Sequence, residues 1–205
     1  MAILFATAIR IVIIVKKIMK YIFYLLVAFC LVSTLSCKDD DANNIEADLF
    51  YDNGINSAPI FEAGTHVAAA RFPRSITSNF AGQKLNLVEF YLINTPSTCK
   101  IKIFDEGTST KPGTLLYEAN VTSSAQPNAW VQHTLTDNVT ITNKDIWLAV
   151  EFTHFEANNT IGCDVGPADE NGDWVLEGNE TEWETYRNFT SDAVNINWNI
   201  RGSVE

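Results

Sequence analysis

From Lys84 to Ile93, and again from Cys99 to Asp105, apolar and polar residues alternate with a period of two. No helical period replaces that alternation anywhere beyond the N-terminal 36 residues. A period of two puts successive side chains on opposite faces of a pleated strand, so each such run asks for a sheet with one face in a core. In Lys84–Ile93 the set Val88, Phe90 and Leu92 is the more apolar and is expected to face inward. Leu85, Leu87, Glu89 and Tyr91 then fall on the other face. In Cys99–Asp105, Ile101 and Ile103 point in while Lys100 and Lys102 point out.

The remaining strands are read from shorter signals. Asp48–Asp52 opens the series, followed by turn chemistry at Asn53-Gly54 and Asn56–Pro59. Thr65–Phe72 is a strand stopped by Pro73, and Ser75–Phe80 is a helical turn or loop closed by Gly82. Thr114–Val121, Trp130–Leu135, Val139–Ile141, Asp145–Phe152 and Thr160–Val165 continue the pattern, with Asp145–Phe152 apolar enough for a central position. Ala193–Arg201 ends it, with Val194, Ile196, Trp198 and Ile200 on one face and Asn195, Asn197 and Asn199 on the other. About eight to ten short strands separated by turns predict an all-β fold, a single antiparallel β-sandwich of jelly-roll kind spanning 48–205.

The N-terminal segment follows other rules. Lys16, Lys17 and Lys20 form a basic stretch, and Tyr21 to Leu35 an apolar one. Its h-region of about 12–15 residues is short against the roughly 20 of a spanning helix. Leu35-Ser36-Cys37 then resembles the bacterial lipobox. The resemblance implies a hydrophobic signal helix removed at residue 36 and lipid, palmitate included, on Cys37. Residues 37–47 become a tether. Several acyl chains on one cysteine hold where one chain binds marginally. Lys38, Asp39, Asp40 and Asp41 resemble the export signal of surface lipoproteins in Bacteroidetes-type bacteria, which implies an outer-membrane protein displayed outside the cell. Two readings of residues 1–18 stay open: an extended signal, or a start at Met19.

Four of the fourteen basic residues precede Cys37 and all twenty-five acidic ones follow it, so ten stand against twenty-five beyond the cleavage point, a charge of −15. That balance disfavours nucleic acid, whose phosphates need a basic face. It leaves attachment to the membrane to the lipid. Cys99 and Cys163 remain after cleavage, and an exported protein permits either one disulfide or two buried thiols. Five Asn-X-Thr triplets (at Asn120, Asn138, Asn158, Asn179 and Asn188) read as the habit of an Asn- and Thr-rich β-domain.

Several phrases taken together resemble the β-sandwich accessory module of secreted and surface proteins of Bacteroidetes, where it accompanies peptidases and adhesins. They include Phe50–Gly54, Ala68–Phe72, Lys84–Tyr91, Pro112–Tyr117, Asp145–Val150, Asp164–Pro167, Gly172–Trp174 and Asn197–Arg201. The resemblance implies the fold and an accessory, binding or adhesion role, with no catalytic residue.

The chemistry of individual residues agrees. His66, His133 and His154 are scattered, and no nucleophile elbow, zinc motif or phosphate loop is present, so no enzyme is expected. Asp164, Asp169, Glu170, Asn171 and Asp173 concentrate oxygen donors that a structural calcium ion would accept, without EF-hand spacing. Trp174, Trp183 and Tyr186 lie in the irregular acidic segment, where an exposed ring stacks on the C–H face of a sugar. Trp147 and Trp198 lie in strands and belong to the core. The expectation is a non-catalytic binding or adhesion module for extracellular glycan or protein. The alternative is a structural subunit of an outer-membrane complex that binds no small ligand.

Overall fold

The computed structural model describes residues 47–205. The signal segment 1–36, Cys37 and Lys38–Asp41 lie outside the described residues. The strands are β1 (Ile60–Phe61), β2 (Gly64–Phe72), β3 (Lys84–Leu92), β4 (Thr98–Phe104), β5 (Leu115–Asn120) and β6 (Ala129–Thr140). They continue with β7 (Ile146–His154), β8 (Asn158–Asn159), β9 (Trp174–Leu176), β10 (Glu184–Thr185) and β11 (Ile200–Val204). They form a six-stranded sheet in the order β10-β9-β2-β7-β4-β5, a three-stranded sheet β11-β3-β6 and a small pair β1-β8. Every pairing is antiparallel, and the architecture is an all-β sandwich.

Alternation decides which side chains meet between the sheets. From the large sheet come Ala68, Ala70, Phe72, Ile101, Ile103, Leu148, Val150 and Phe152; from the small one Val88, Phe90, Leu92, Val131, Leu135 and Ile200. Lys100 and Lys102 stand outside as expected and lie in an ion-pair ladder with Glu118 and Glu151. β7 holds the centre of the large sheet, paired with β2 through nine residues from Gly64↔His154 to Phe72↔Ile146 and with β4 on its other side. Its outer face is covered too. Val67, Ala69, Trp147, Ala149 and Trp174 make a second, smaller core. Burying a tryptophan gives about 4–6 kcal/mol of transfer free energy, so Trp174 is the main anchor of the short strand β9.

The structure differs from the sequence expectations in five places. Asp48–Asp52 makes a single bridge, Leu49↔Gly202, and Thr160–Val165 only the bridges of Ile161 to Leu92 and of Cys163 to Ser57 and Trp198. The two strands expected across 130–141 are one, β6. A bulge between Leu85 and Leu87 turns Leu85 into the core, where it is fully buried. The last strand begins at Ile200, because the buried Asn197 and Asn199 side chains bond to distant loops, at Asp164 and Gly54, rather than standing clear of a ladder.

Candidate functional site

The phrases that carry the family resemblance converge on one another. Arg201 donates through Nε and Nη2 to both oxygens of Asp52, at 2.9 and 2.7 Å, and its guanidinium lies 4.2 Å from the Trp130 ring centre. Arg71 donates to Asp145 through Nε and Nη2 at 2.9 and 2.6 Å and to Asn171 Oδ1 at 3.1 Å. Asp164 is buried and accepts four N–H bonds, from the backbone of Asn53, Gly166 and Asn197 and from Asn197 Nδ2, at 2.7–3.2 Å. Gly172 is required where it stands, because a Cβ there would come within 2.2 Å of Asn197 Oδ1. The polar groups of these phrases therefore hold loops to strands.

The residues named for calcium do not converge on one point in this fold. Asp164 spends both oxygens on N–H donors, and Asp169 Oδ1 caps the backbone of Asn171 at 2.9 Å. Asp173 is fully buried, accepts from the Arg187 backbone at 3.0 Å and lies 3.2 Å from its guanidinium. Glu170 is exposed, and Asn171 faces Arg71. The five donors point to different partners, and no group of three or more metal-holding His, Cys, Asp or Glu exists among the described residues. Burial pushes the Asp173 carboxyl up to about 6.

Two of the three rings named for a sugar platform are buried. Trp174 is 6% exposed and meets Trp147 edge-on at 5.2 Å; Tyr186 is 5% exposed and packs on Phe61 and Trp198. Neither ring has a free face. The outer surface of the large sheet is apolar at Val67, Ala69 and Ala149, so the Trp174 side chain from β9 and the Trp183 side chain from the chain after it pack on that surface. Trp183 is half-buried against Trp147 at 6.1 Å and is the ring of the three with exposed area. Trp147 and Trp198 are buried, as expected.

Cys99 and Cys163 are free and buried, which replaces the disulfide reading by the thiol one; burial pushes the Cys99 thiol up to about 12. The histidines are less scattered than their spacing implies. His66 and His154 lie 5.6 Å apart. His66 Nδ1 accepts from the Gly178 backbone at 3.1 Å, which makes Nε2 the donor to Glu62 O at 2.8 Å. Both nitrogens are thereby engaged. Burial first, then His66, lowers the pKa of His154. His133 bonds Tyr117 Oη at 2.7 Å across the edges of the two sheets.

Two concavities among the described residues bear on binding. A recess of ≈ 540 Å³ beside His66 is lined by Glu62, Glu177, Glu180, Glu182 and Glu184, none of them ion-paired among the described residues, with Phe189 on its wall. Burial, then the neighbouring glutamates, raises the pKa of Glu177. The second is a groove of ≈ 520 Å³ where the edge strands β5 and β6 leave the sandwich open. Leu116, Val139 and Ile146 form its apolar floor, and Asp105, Asp137, Asn138, Thr140, Thr142, Lys144 and Asp145 its polar walls. Asp145 is taken by Arg71, Thr140 by Lys84, and Lys144 by Glu106 at 3.4 Å. Asp105 caps the Thr114 backbone with one oxygen. Asp137 and Thr142 are exposed and have no partner among the described residues. Leu115 and Leu116 are 45% and 48% exposed.

Sequence reasoning missed this groove. Its residues come from four turn-flanking segments, each unremarkable alone. The available signal was the Leu115-Leu116 pair, which breaks alternation on an edge strand.

No family model and no curated protein matches the sequence. Among solved structures the chain is similar to the cysteine protease and lectin-like domains of Cwp84, a surface layer associated protein of Clostridium difficile. Identity is 12% and the TM-score 0.50. The likeness covers 73% of this chain and 36% of that one, and at this identity it speaks to fold alone.

Proposed function

We propose that the chain is a non-catalytic binding module for an extracellular glycan or protein, held at the outer membrane by lipid on Cys37 and displayed on the cell surface through Lys38–Asp41. The observation that carries this reading is the groove between β5 and β6. It combines an open apolar floor with carboxylate and hydroxyl groups that the fold leaves unspent. Pockets of that composition suit ligands with an apolar face and a polar rim. The Cwp84 structure includes a lectin-like domain, and a lectin-like role is carried to this chain as part of the proposal. The engagement of both His66 nitrogens with backbone groups supports the non-catalytic half, since both are held within the fold.

The test is an array of glycans and matrix proteins probed with the full chain in detergent. Saturable binding that disappears in Leu116→Asp is expected. Binding that survives Leu116→Asp places the ligand elsewhere and removes the groove from the account. Incorporation of radiolabelled palmitate, lost in Cys37→Ala, tests the anchor separately.

A further inference from the structure

We infer that the groove between β5 and β6 selects neutral saccharides over anionic ones. A sugar's C–H face lies on Leu116 and Val139, and neighbouring hydroxyls donate to Asp137. This rests on the groove being the binding site. The selectivity follows from which groups are still free. A carboxylate-bearing sugar needs a cation, and the three cations near the groove are each engaged: Lys144 with Glu106 at 3.4 Å, Arg71 with Asp145 at 2.6 Å, and Lys84 with the Thr140 hydroxyl. What remains is acceptor-rich. Asp137 is unpartnered among the described residues, Asp105 has spent one oxygen on Thr114, and Asn138 donates its Nδ2 to Glu205 at 3.3 Å. Hydroxyl groups satisfy such acceptors, and a second carboxylate is repelled by them.

A lysine-rich peptide would also satisfy acceptors, and the charge balance decides against it. The lining has three carboxylates against Lys144, and its charged partners cancel, Arg71 and Lys84 against Glu106 and Glu205, which leaves a net of two negative charges. That is too weak a field to select a polycation. The open leucine at 116, 48% exposed, supplies instead the apolar area that the C–H face of a pyranose covers.

The full chain in detergent would be tested on an array printed with neutral oligosaccharides, their counterparts oxidised to uronic acids, and polylysine. Expected is binding to neutral spots at least about tenfold tighter than to their uronate counterparts. Asp137→Lys should lose the neutral ligand and narrow or reverse the preference. Asp137 is exposed, so both this variant and the milder Asp137→Asn should melt within about 2 °C of the wild type. Equal or tighter binding of the uronates, abolished by Leu116→Asp, overturns the selectivity and leaves the groove in place. Binding indifferent to Leu116→Asp overturns the groove itself. Retention on polylysine alone makes the ligand a cationic protein, and a blank array from the folded chain contradicts both statements.

Discussion

Asp164 and Asp137 are both aspartates beside strands of the same sandwich, and the fold puts them to opposite use. Asp164 is buried and accepts four N–H bonds, with Asp52, Asp145, Asn171 and Asn197 similarly committed around it. Asp137 is exposed at the groove mouth, unpartnered among the described residues. The stretch around Asp164 has motif-like density in the sequence and the stretch around Asp137 has none. Density of polar residues marks where loops must be held, because a buried backbone N–H left unpaired costs more than a hydrogen bond returns. Binding groups are recognised instead by what the fold leaves unspent.

The widest separation of the two regions is expected in stability. Asp164→Ala should cost about 3–5 kcal/mol in urea unfolding and lower Tm by about 10 °C, since it strands four donors in the interior. Asp137→Ala should change stability by less than about 0.5 kcal/mol. A small loss at Asp164 would break the comparison.

Asp173 sharpens it through pH. Its carboxyl stands at about 6 in the fold against 3.8 ordinarily, because burial penalises the charge. A raised acid pKa contributes stability that is fully present below about pH 4 and lost as pH rises through 6. Asp173→Asn should remove that dependence, a difference of at most about 3 kcal/mol between pH 4 and pH 8. His154 runs the other way: its lowered pKa contributes stability present above its ordinary value of 6.5 and lost as pH falls. Comparing Asp173→Asn with the wild type across the same pH series isolates the carboxyl.

The glutamates beside His66 form a third case, unspent but mutually repelling. Glu180→Gln with Glu182→Gln should raise stability by about 0.5 kcal/mol at low salt, an effect gone near 1 M salt where screening is short-ranged. The smallest expected effect is that of EDTA. With both Asp164 oxygens held by N–H groups and the other acidic side chains of the segment turned to different partners, chelation should leave Tm within about 1 °C.

Much of the fold was legible because alternation is a local signal. β3, β4 and β7 follow from their own residues, and Val88, Phe90, Leu92, Ile101 and Ile103 face the core as read. The failures are non-local. Leu85 turns inward through a bulge that depends on its pairing with β6, and the final strand gives way to asparagine bonds reaching across thirty-three residues to Asp164. Trp174 and Tyr186 seemed available because their segment is irregular, yet an apolar outer sheet face lay waiting for cover. The groove was invisible for a related reason. Asp105, Leu116, Asp137 and Thr142 become neighbours only when two sheet edges meet.

The most direct measurement is chemical-shift mapping on the isotopically labelled full chain, titrated with a neutral oligosaccharide that binds on the array. Perturbations confined to Leu116, Asp137–Thr142 and Lys144–Ile146 are predicted. Perturbations centred on Trp183 and residues 177–184, with the groove silent, would contradict the account and return the binding site to the acidic segment.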